Sequence, residues 1–320
     1  MKAEKMDVKV LLIKGSRVVV LFVLFLVFTV FTDNFFRPDN WTNVGNILLQ
    51  EAPFYMMLAL GMTIPMIVGG IDLSIGANIS LSSFVCAMVI QRTGNVFAAI
   101  LAGVVFGCVV GTINGVMIAK IGVPPFVATY SMDWIAKGAV LVISKGGQIT
   151  GFDALRKIFN TWRGTYLLIS LIVLALAWFL YTKTVFGSRT YSVGCNPTAA
   201  RFSGMKAVQI KVLAYVASGF VAAVTGMMYI SKLGAAEPTL GGSFTMEAIA
   251  AALIGGASFV GAKSKVSNAL VGGLILVVLN NGLIHIGVPG VWQDCAQGVI
   301  IIAAILMERA LEKLQAARDA

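Results

Sequence analysis

The sequence contains long runs of apolar residues that no charged side chain interrupts. Three of them are 18–30, 167–180 and 269–279. A bilayer core admits only helices and closed barrels, because every backbone polar group must be satisfied within the protein. Barrel strands would alternate apolar and polar residues, and these runs do not. The runs therefore predict an all-α protein that crosses a membrane several times.

The charge content agrees with a lipid-facing surface. Charged residues make up 12% of the 320 positions, about half of the roughly 25% found in soluble domains. The net charge of +10 could suggest nucleic acid, but the basic residues fall in a few loops, as the positive-inside rule describes. We therefore expect a lipid partner and no nucleic acid. Four scattered cysteines and one histidine predict neither a disulfide framework nor a metal site.

A spanning helix needs about 20 apolar residues, and on that basis the sequence predicts about ten spans. They form one transmembrane domain over 1–320, with a membrane-spanning core at 17–308. The basic N-terminal segment lacks a cleavage motif, so the first span is expected to be retained. The predicted spans are 17–33, 52–70, 77–91, 96–119, 124–144, 164–182, 210–231, 246–262, 266–285 and 291–308.

Lysine and arginine give the expected orientation. The stretch 183–211 contains five basic and no acidic residues, which places it, with the loop 183–209, in the cytoplasm. Ten spans then put both termini in the cytoplasm. One loop disagrees: 145–163 also carries four basic residues, yet the parity of the spans puts it outside.

Glycines recur at every fourth position in the fourth predicted span and so share one helix face. Such a face lets another backbone approach closely in lipid. We expect packing within the chain rather than a contact between two copies. The four residues are Gly103, Gly107, Gly111 and Gly115.

Polar residues interrupt the predicted spans at several points. Gly69 and Gly70 break a helix before Asp72 and Ser74. This break indicates either a discontinuous helix beside a transport path or a tight turn in which Asp72 is a solvated N-cap.

Other polar side chains lie inside spans. Asp133 and Lys137 are one helical turn apart and suit a mutually neutralising pair. Glu247 would stabilise a helix N-terminus. Asn280 and Asn281 must bond neighbouring helices or line a polar path.

The segment 196–204 predicts a separate short helix in the cytoplasmic loop. Asn196 is a preferred N-cap, Pro197 suits the first helical position, and Gly204 suits the position after the end. A helix of about two turns cannot cross a membrane. It is either a docking element for a partner or a plain interfacial helix.

Evidence for an enzyme is weak. The segment 256–264 resembles a phosphate-binding loop, but its spacing is one residue too long and it follows an apolar span. We expect no catalytic residue, no cofactor and no nucleotide site in this chain.

Over nearly its whole length the sequence resembles permease subunits of bacterial ABC importers for monosaccharides of the ribose, xylose and galactose type. The matching motifs are Gly-Met-Thr at 61–63, Gly-Gly-Ile-Asp-Leu-Ser-Ile-Gly at 69–76, 194–204, 247–251 with Gly-Gly at 255–256, and Asn-Asn-Gly-Leu at 280–283.

The resemblance implies a permease in the bacterial cytoplasmic membrane that works by alternating access. Its partners would be cytoplasmic ATPases, a second permease (the same chain or a close relative) and an extracytoplasmic sugar-binding protein. The short helix would be the coupling helix that seats in the ATPase. Its expected contact residues are Asn196, Pro197, Ala199, Ala200, Arg201, Phe202 and Gly204.

The substrate path is expected near Asp72, Ser74, Asn280 and Asn281. Two alternatives remain open. The same architecture could carry a branched-chain amino acid, a nucleoside or a signal molecule. An ion-coupled secondary carrier would instead depend on Asp72, Asp133 or Glu247.

Overall fold

A computed structural model describes residues 16–32, 35–36, 41–293, 295–296, 298–299, 302–303 and 306. The described chain is mostly helical. Its elements are α1 Ser16–Phe31, α2 Trp41–Asn46, a π-helical turn Ile47–Glu51, α3 Ala52–Ile67, α4 Ile75–Thr93, α5 Val96–Val116, a π-helical turn Met117–Ile121, α6 Pro125–Ser144, β1 Ile149–Thr150, α7 Asp153–Phe159, α8 Thr165–Lys183, α9 Val185–Cys195, α10 Pro197–Phe202, α11 Ala207–Leu233, β2 Ala235–Ala236, α12 Phe244–Ile254 and α13 Asn268–Ile286.

Within the described residues, seven helices are long and apolar enough to span a bilayer: Thr42–Ile67, α4, Val96–Ile121, α6, α8, α11 and α13. The first predicted span corresponds to α1, which is shorter, and the predicted span 52–70 begins earlier, at Thr42. Ten of the 18 residues in the predicted span 291–308 are described, and all ten are helical.

The predicted eighth span, 246–262, is wrong in extent. Helix α12 is 11 residues long, which at 1.5 Å per residue is about 16 Å, roughly half of a 30 Å hydrocarbon core. After Gly255 the chain turns, with Gly256 in the left-handed region (φ +89°). The apolar composition continues past the point where the helix stops.

The two ends of the bundle are distinguished by their connections. We call the end that carries 184–206 the lower end, and the opposite one the upper end. Helix α11 begins at the lower end and leads at the upper end into β2, which pairs antiparallel with β1. The loop 145–163 therefore lies at the upper end, opposite to 183–211. The parity of the spans predicts this placement, whereas the four basic residues of the loop predict the opposite one.

Two trios of helices form the centre, and one repeats the other with reversed direction. In the first, α3 descends, α4 rises and α5 descends; in the second, α11 rises, α12 descends and α13 rises. Helices α3 and α11 pack against each other, α5 packs on α11, and α13 packs on α3. Helices α4 and α12 each pack on the long helix of the opposite trio. In both trios, a break precedes the second helix.

The four glycines of α5 face neighbouring helices of the same chain. A Cβ atom at Gly107 would lie 2.6 Å from the carbonyl oxygen of Gly219, and one at Gly111 would lie 2.2 Å from that of Tyr215, both on α11. Gly115 meets α11 in the same way, whereas Gly103 meets α4. Backbone contact at this distance gives the van der Waals packing that holds helices together in lipid.

Replacing Gly107 by leucine should push α5 away from α11. We expect a large loss of purified protein and, for what remains, a lower thermal unfolding temperature in mild detergent. Gly138→Leu is the matched control, because among the described residues no atom lies within 4 Å of a Cβ at Gly138. Equal yields and unfolding temperatures for the two variants would contradict this packing.

Candidate functional site: the interrupted helices at the centre of the bundle

The connection 68–74 starts at the lower end, where Gly69 is exposed, and re-enters the bundle, where Asp72 and Ser74 are buried. The side chain of Ile75, the first residue of α4, comes within 2.5 Å of a Cβ position at Gly61. Gly61 precedes the end of α3 by six residues, or about 9 Å. Helix α4 therefore begins inside the bundle, and α3 and α4 together form an interrupted pair.

The second interrupted segment, 234–243, meets the first one. The Gly241 N–H donates to Ser80 Oγ at 2.7 Å, and the Gly76 N–H donates to Thr245 Oγ1 at 3.1 Å. The Thr245 hydroxyl in turn donates to the Leu73 carbonyl at 3.2 Å. Side-chain hydroxyls thus satisfy backbone groups that the helix breaks leave without intrahelical partners. The N-termini of α4 and α12 come together near the middle of the protein.

A buried polar cluster holds the first interrupted segment in place. Asp72 Oδ1 accepts hydrogen bonds from the Ser74 hydroxyl (2.6 Å) and backbone N–H (3.1 Å), and Asp72 Oδ2 accepts from Ser218 Oγ at 2.8 Å. Asn114 Nδ2 donates to Ser74 Oγ at 2.8 Å. Asp72 is only 1% exposed. The four residues therefore tie the 68–74 connection to both α5 and α11.

This geometry excludes one interpretation of Asp72. A solvated N-cap is wrong, because the side chain is buried and neither it nor Ser74 makes a capping hydrogen bond to α4. Asp72 instead accepts hydrogen bonds across the break. The sequence analysis missed Asn114 and Ser218, although a polar residue within an apolar span is the signal that could have found them.

Asn280 and Asn281 belong to a different part of the bundle. Asn280 Nδ2 donates to Tyr55 Oη at 2.9 Å, and Asn43 Nδ2 donates to Asn281 Oδ1 at 3.2 Å. These contacts join α13 to the upper half of the 42–67 helix. Asn280 Oδ1 is buried and has no hydrogen-bond partner among the described residues. The structure therefore does not bring the two asparagines together with Asp72 and Ser74.

The two charged side chains within α6, Asp133 and Lys137, form an ion pair. Lys137 Nζ lies 2.6 Å from Asp133 Oδ2, and the side chains are 41% and 6% exposed. The pair lies near the middle of a 20-residue helix, where an unpaired charge would be costly. The contact agrees with a mutually neutralising pair. Glu247 lies in the first turn of α12 and accepts a hydrogen bond from Ser243 Oγ at 2.9 Å.

Lys137→Met should leave the Asp133 carboxylate unpaired. The expected loss of stability lies between about 1 kcal/mol for an exposed pair and about 3–5 kcal/mol for a buried one. Thermal unfolding in detergent measures it. The double variant Asp133→Asn/Lys137→Met should recover most of the loss. A double variant as unstable as the single one would show that the pair does more than neutralise itself.

At the lower end, the short helix α10 has the capping geometry that its sequence predicts. Asn196 Oδ1 accepts from the N–H groups of Thr198 and Ala199, both at 3.0 Å, and Pro197 occupies the first turn. Gly204 (φ +79°) ends the helix, and the Met205 N–H donates to the Ala200 carbonyl at 3.0 Å. The turn is therefore fixed by local bonds.

Helix α10 presents an exposed aromatic side chain. Phe202 is 89% exposed, whereas Ala200 is buried against the rest of the protein. A depression of about 250 Å³ is lined by Thr198, Arg201 and Phe202. Burying one phenylalanine side chain is worth about 1.5–3 kcal/mol. Phenylalanine is among the residue types enriched at protein interfaces, so an exposed phenylalanine on this short helix suits a surface that a partner covers.

The lower end is uniformly basic in its described part. Among the described residues around this end, every charged side chain except the buried Asp72 is lysine or arginine. They are Arg17, Lys120, Lys183, Arg189, Arg201, Lys206, Lys211, Lys263 and Lys265. This distribution favours the cytoplasmic side of a membrane.

Comparison with known families identifies the chain. Residues 43–305 match the model of the family described as the branched-chain amino acid transport system/permease component. The chain belongs to this family. It is a multi-pass membrane protein and a transport component, and both the interrupted trios and α10 lie inside the matched range.

Several curated proteins are similar over almost their full length. The ribose import permease of Escherichia coli K12 is 32% identical over 309 residues, covering 94% of this chain and 95% of the relative. That of Bacillus subtilis 168 is 36% identical, covering 90% of both chains. The D-allose transport permease of Escherichia coli K12 is 33% identical, covering 94% and 93%. No solved structure matches significantly.

Proposed function

We propose that this chain is the membrane permease subunit of an ATP-driven importer for a monosaccharide. The observation that carries the proposal is end-to-end similarity to permeases named for ribose and D-allose. The family description names branched-chain amino acids, but the sugar permeases match over 90% or more of the chain. A monosaccharide is therefore the substrate class that we favour.

Transport would proceed by alternating access across the bacterial cytoplasmic membrane. The lower end would face the cytoplasm, with ten spans in all and both termini on that side. The upper end would receive the sugar from an extracytoplasmic binding protein. A second permease subunit, the same chain or a close relative, would complete the channel. This chain would need neither a cofactor nor a nucleotide site.

The polar residues would serve the path at two levels. Asn280 and Asn281, in the upper half, would meet an entering sugar first. Asp72 and Ser74 lie at the re-entrant break below them and would hold the closed state. Carboxamide groups can both donate to and accept from sugar hydroxyls, which suits Asn280, whose Oδ1 is without a partner among the described residues.

Helix α10 would couple the permease to a cytoplasmic ATPase. Phe202 would enter an apolar pocket of the ATPase, and Arg201 would pair with an acidic rim of that pocket. The capping bonds of Asn196 and the buried Ala200 would hold the two side chains in position. A rigid anchor loses little conformational entropy on binding.

Co-purification tests this coupling. The tagged chain is extracted from its native membranes in mild detergent, and the co-eluting proteins are identified and quantified. We expect a stoichiometric ATPase with the unaltered chain and at least a tenfold loss of that ATPase with Arg201→Ala/Phe202→Ala.

Arg156→Ala/Trp162→Ala, which likewise removes an exposed arginine and an exposed aromatic side chain but at the upper end, is the matched control and should retain the ATPase. An unaltered chain that elutes without any ATPase in several mild detergents would contradict the importer and favour an ion-coupled carrier. If both double variants retain the ATPase equally, α10 is not the contact with the ATPase.

A further inference from the structure

Three backbone segments meet at one point of the lower end, where no side chain separates them. A Cβ at Gly194 would lie 1.9 Å from the carbonyl oxygen of Ile67, and one at Gly261 would lie 2.2 Å from the carbonyl oxygen of Gly194. The Ala262 N–H donates to the Ile67 carbonyl at 2.8 Å. Gly69, in the left-handed region (φ +75°), lies directly beside Gly261. We call Ile67, Gly69, Gly194 and Gly261 the glycine junction.

Each segment of the glycine junction belongs to a different part of the bundle. Gly194 is in the last turn of α9. Ile67 ends α3, and Gly69 lies in the re-entrant connection of the first trio. Gly261 lies between α12 and α13 of the second trio. The junction is therefore a place where one helix touches both trios.

A single residue, Asn196, joins α9 to α10. It caps both helices, since its N–H donates to the Ser192 carbonyl at 3.1 Å and its own carbonyl accepts from the Ala200 N–H at 3.0 Å. Gly194 precedes Asn196 by two residues. No flexible linker separates α10 from the glycine junction, so a displacement of α10 moves Gly194 directly.

Direct contact between backbones transmits a displacement well. A side chain at an interface can change rotamer and absorb a small movement, whereas a packed backbone cannot move without moving its helix. Glycine is needed here because any Cβ would collide with a carbonyl oxygen.

We infer that the glycine junction is the transmission contact through which α10 drives both interrupted trios. The inference rests on the proposed function, because it needs an ATPase seated on α10. Gly194 and Gly261 are then positioning residues: they touch neither the ATPase nor the sugar, and they set how far the re-entrant connection moves when α10 moves.

Gly194→Ala and Gly261→Ala test the inference in the reconstituted complex of permease, ATPase and binding protein. Uptake of labelled ribose or allose and ATP hydrolysis are measured in the same proteoliposomes. We expect both variants to retain the ATPase and its basal hydrolysis, while the sugar transported per ATP falls at least tenfold. Gly138→Ala, where the added methyl group meets open space among the described residues, should transport as the unaltered chain does.

A normal ratio of sugar to ATP in both variants would overturn the inference and leave the importer intact. Absence of any ATPase from the unaltered complex would instead refute the proposed function. Variants that fail to assemble are replaced by a measurement on the unaltered complex. On ATP binding, the amides of 68–74 and 258–264 should change their hydrogen exchange together with those of 192–203. A change confined to 192–203 would overturn the inference.

Discussion

The rest of the structure depends on one constraint, the cost of an unsatisfied backbone group in a lipid environment. A helix that stops inside a bilayer leaves N–H and C=O groups without partners, and irregular backbone at that depth is tolerated only when protein surrounds it. In this protein, hydroxyl and carboxylate side chains supply the missing partners. Thr245 accepts from the backbone at the start of α4, Ser80 accepts from the Gly241 N–H in the connection before α12, and Asp72 holds the re-entrant connection.

The reversed trios follow from the same constraint. Each broken helix needs a continuous helix of the opposite trio to cover it, and α11 and α3 have that role for α4 and α12. The close approach is possible because small residues line the contacts. Gly107 and Gly219 place α5 against α11, and Gly273 places α13 against the backbone of Met56 in α3. The glycines therefore allow the close helix packing that buries the polar breaks.

The sequence predicts those parts of the fold that depend on local interactions. Helix α10 could be predicted from Asn196, Pro197 and Gly204, because the bonds that cap a helix connect residues within a few positions. The all-helical class followed from the apolar runs, and so did most of the spans. The substrate path and the coupling contact stay proposals, because their partners are other molecules.

Long-range contacts and the end of a helix in an apolar run were not predictable. The polar cluster joins Asp72 to residues 42 and 146 positions away, and nothing in the local pattern pairs them. The sequence predicts an eighth span up to residue 262 because the apolar composition continues beyond Gly255, whereas the structure turns there. The glycine junction likewise joins positions 67, 194 and 261, whose sequence neighbourhoods do not indicate one another.

If an ATPase at the lower end drives this permease, as we propose, transport depends on ATP and not on an ion gradient. Uptake of labelled ribose and allose into native membrane vesicles that contain the binding protein separates the two energy sources. ATP is removed from one set of vesicles, and an ionophore collapses the ion gradient in another. We expect uptake that requires internal ATP and persists after the ionophore is added. Uptake that continues without ATP and stops with the ionophore would contradict the importer.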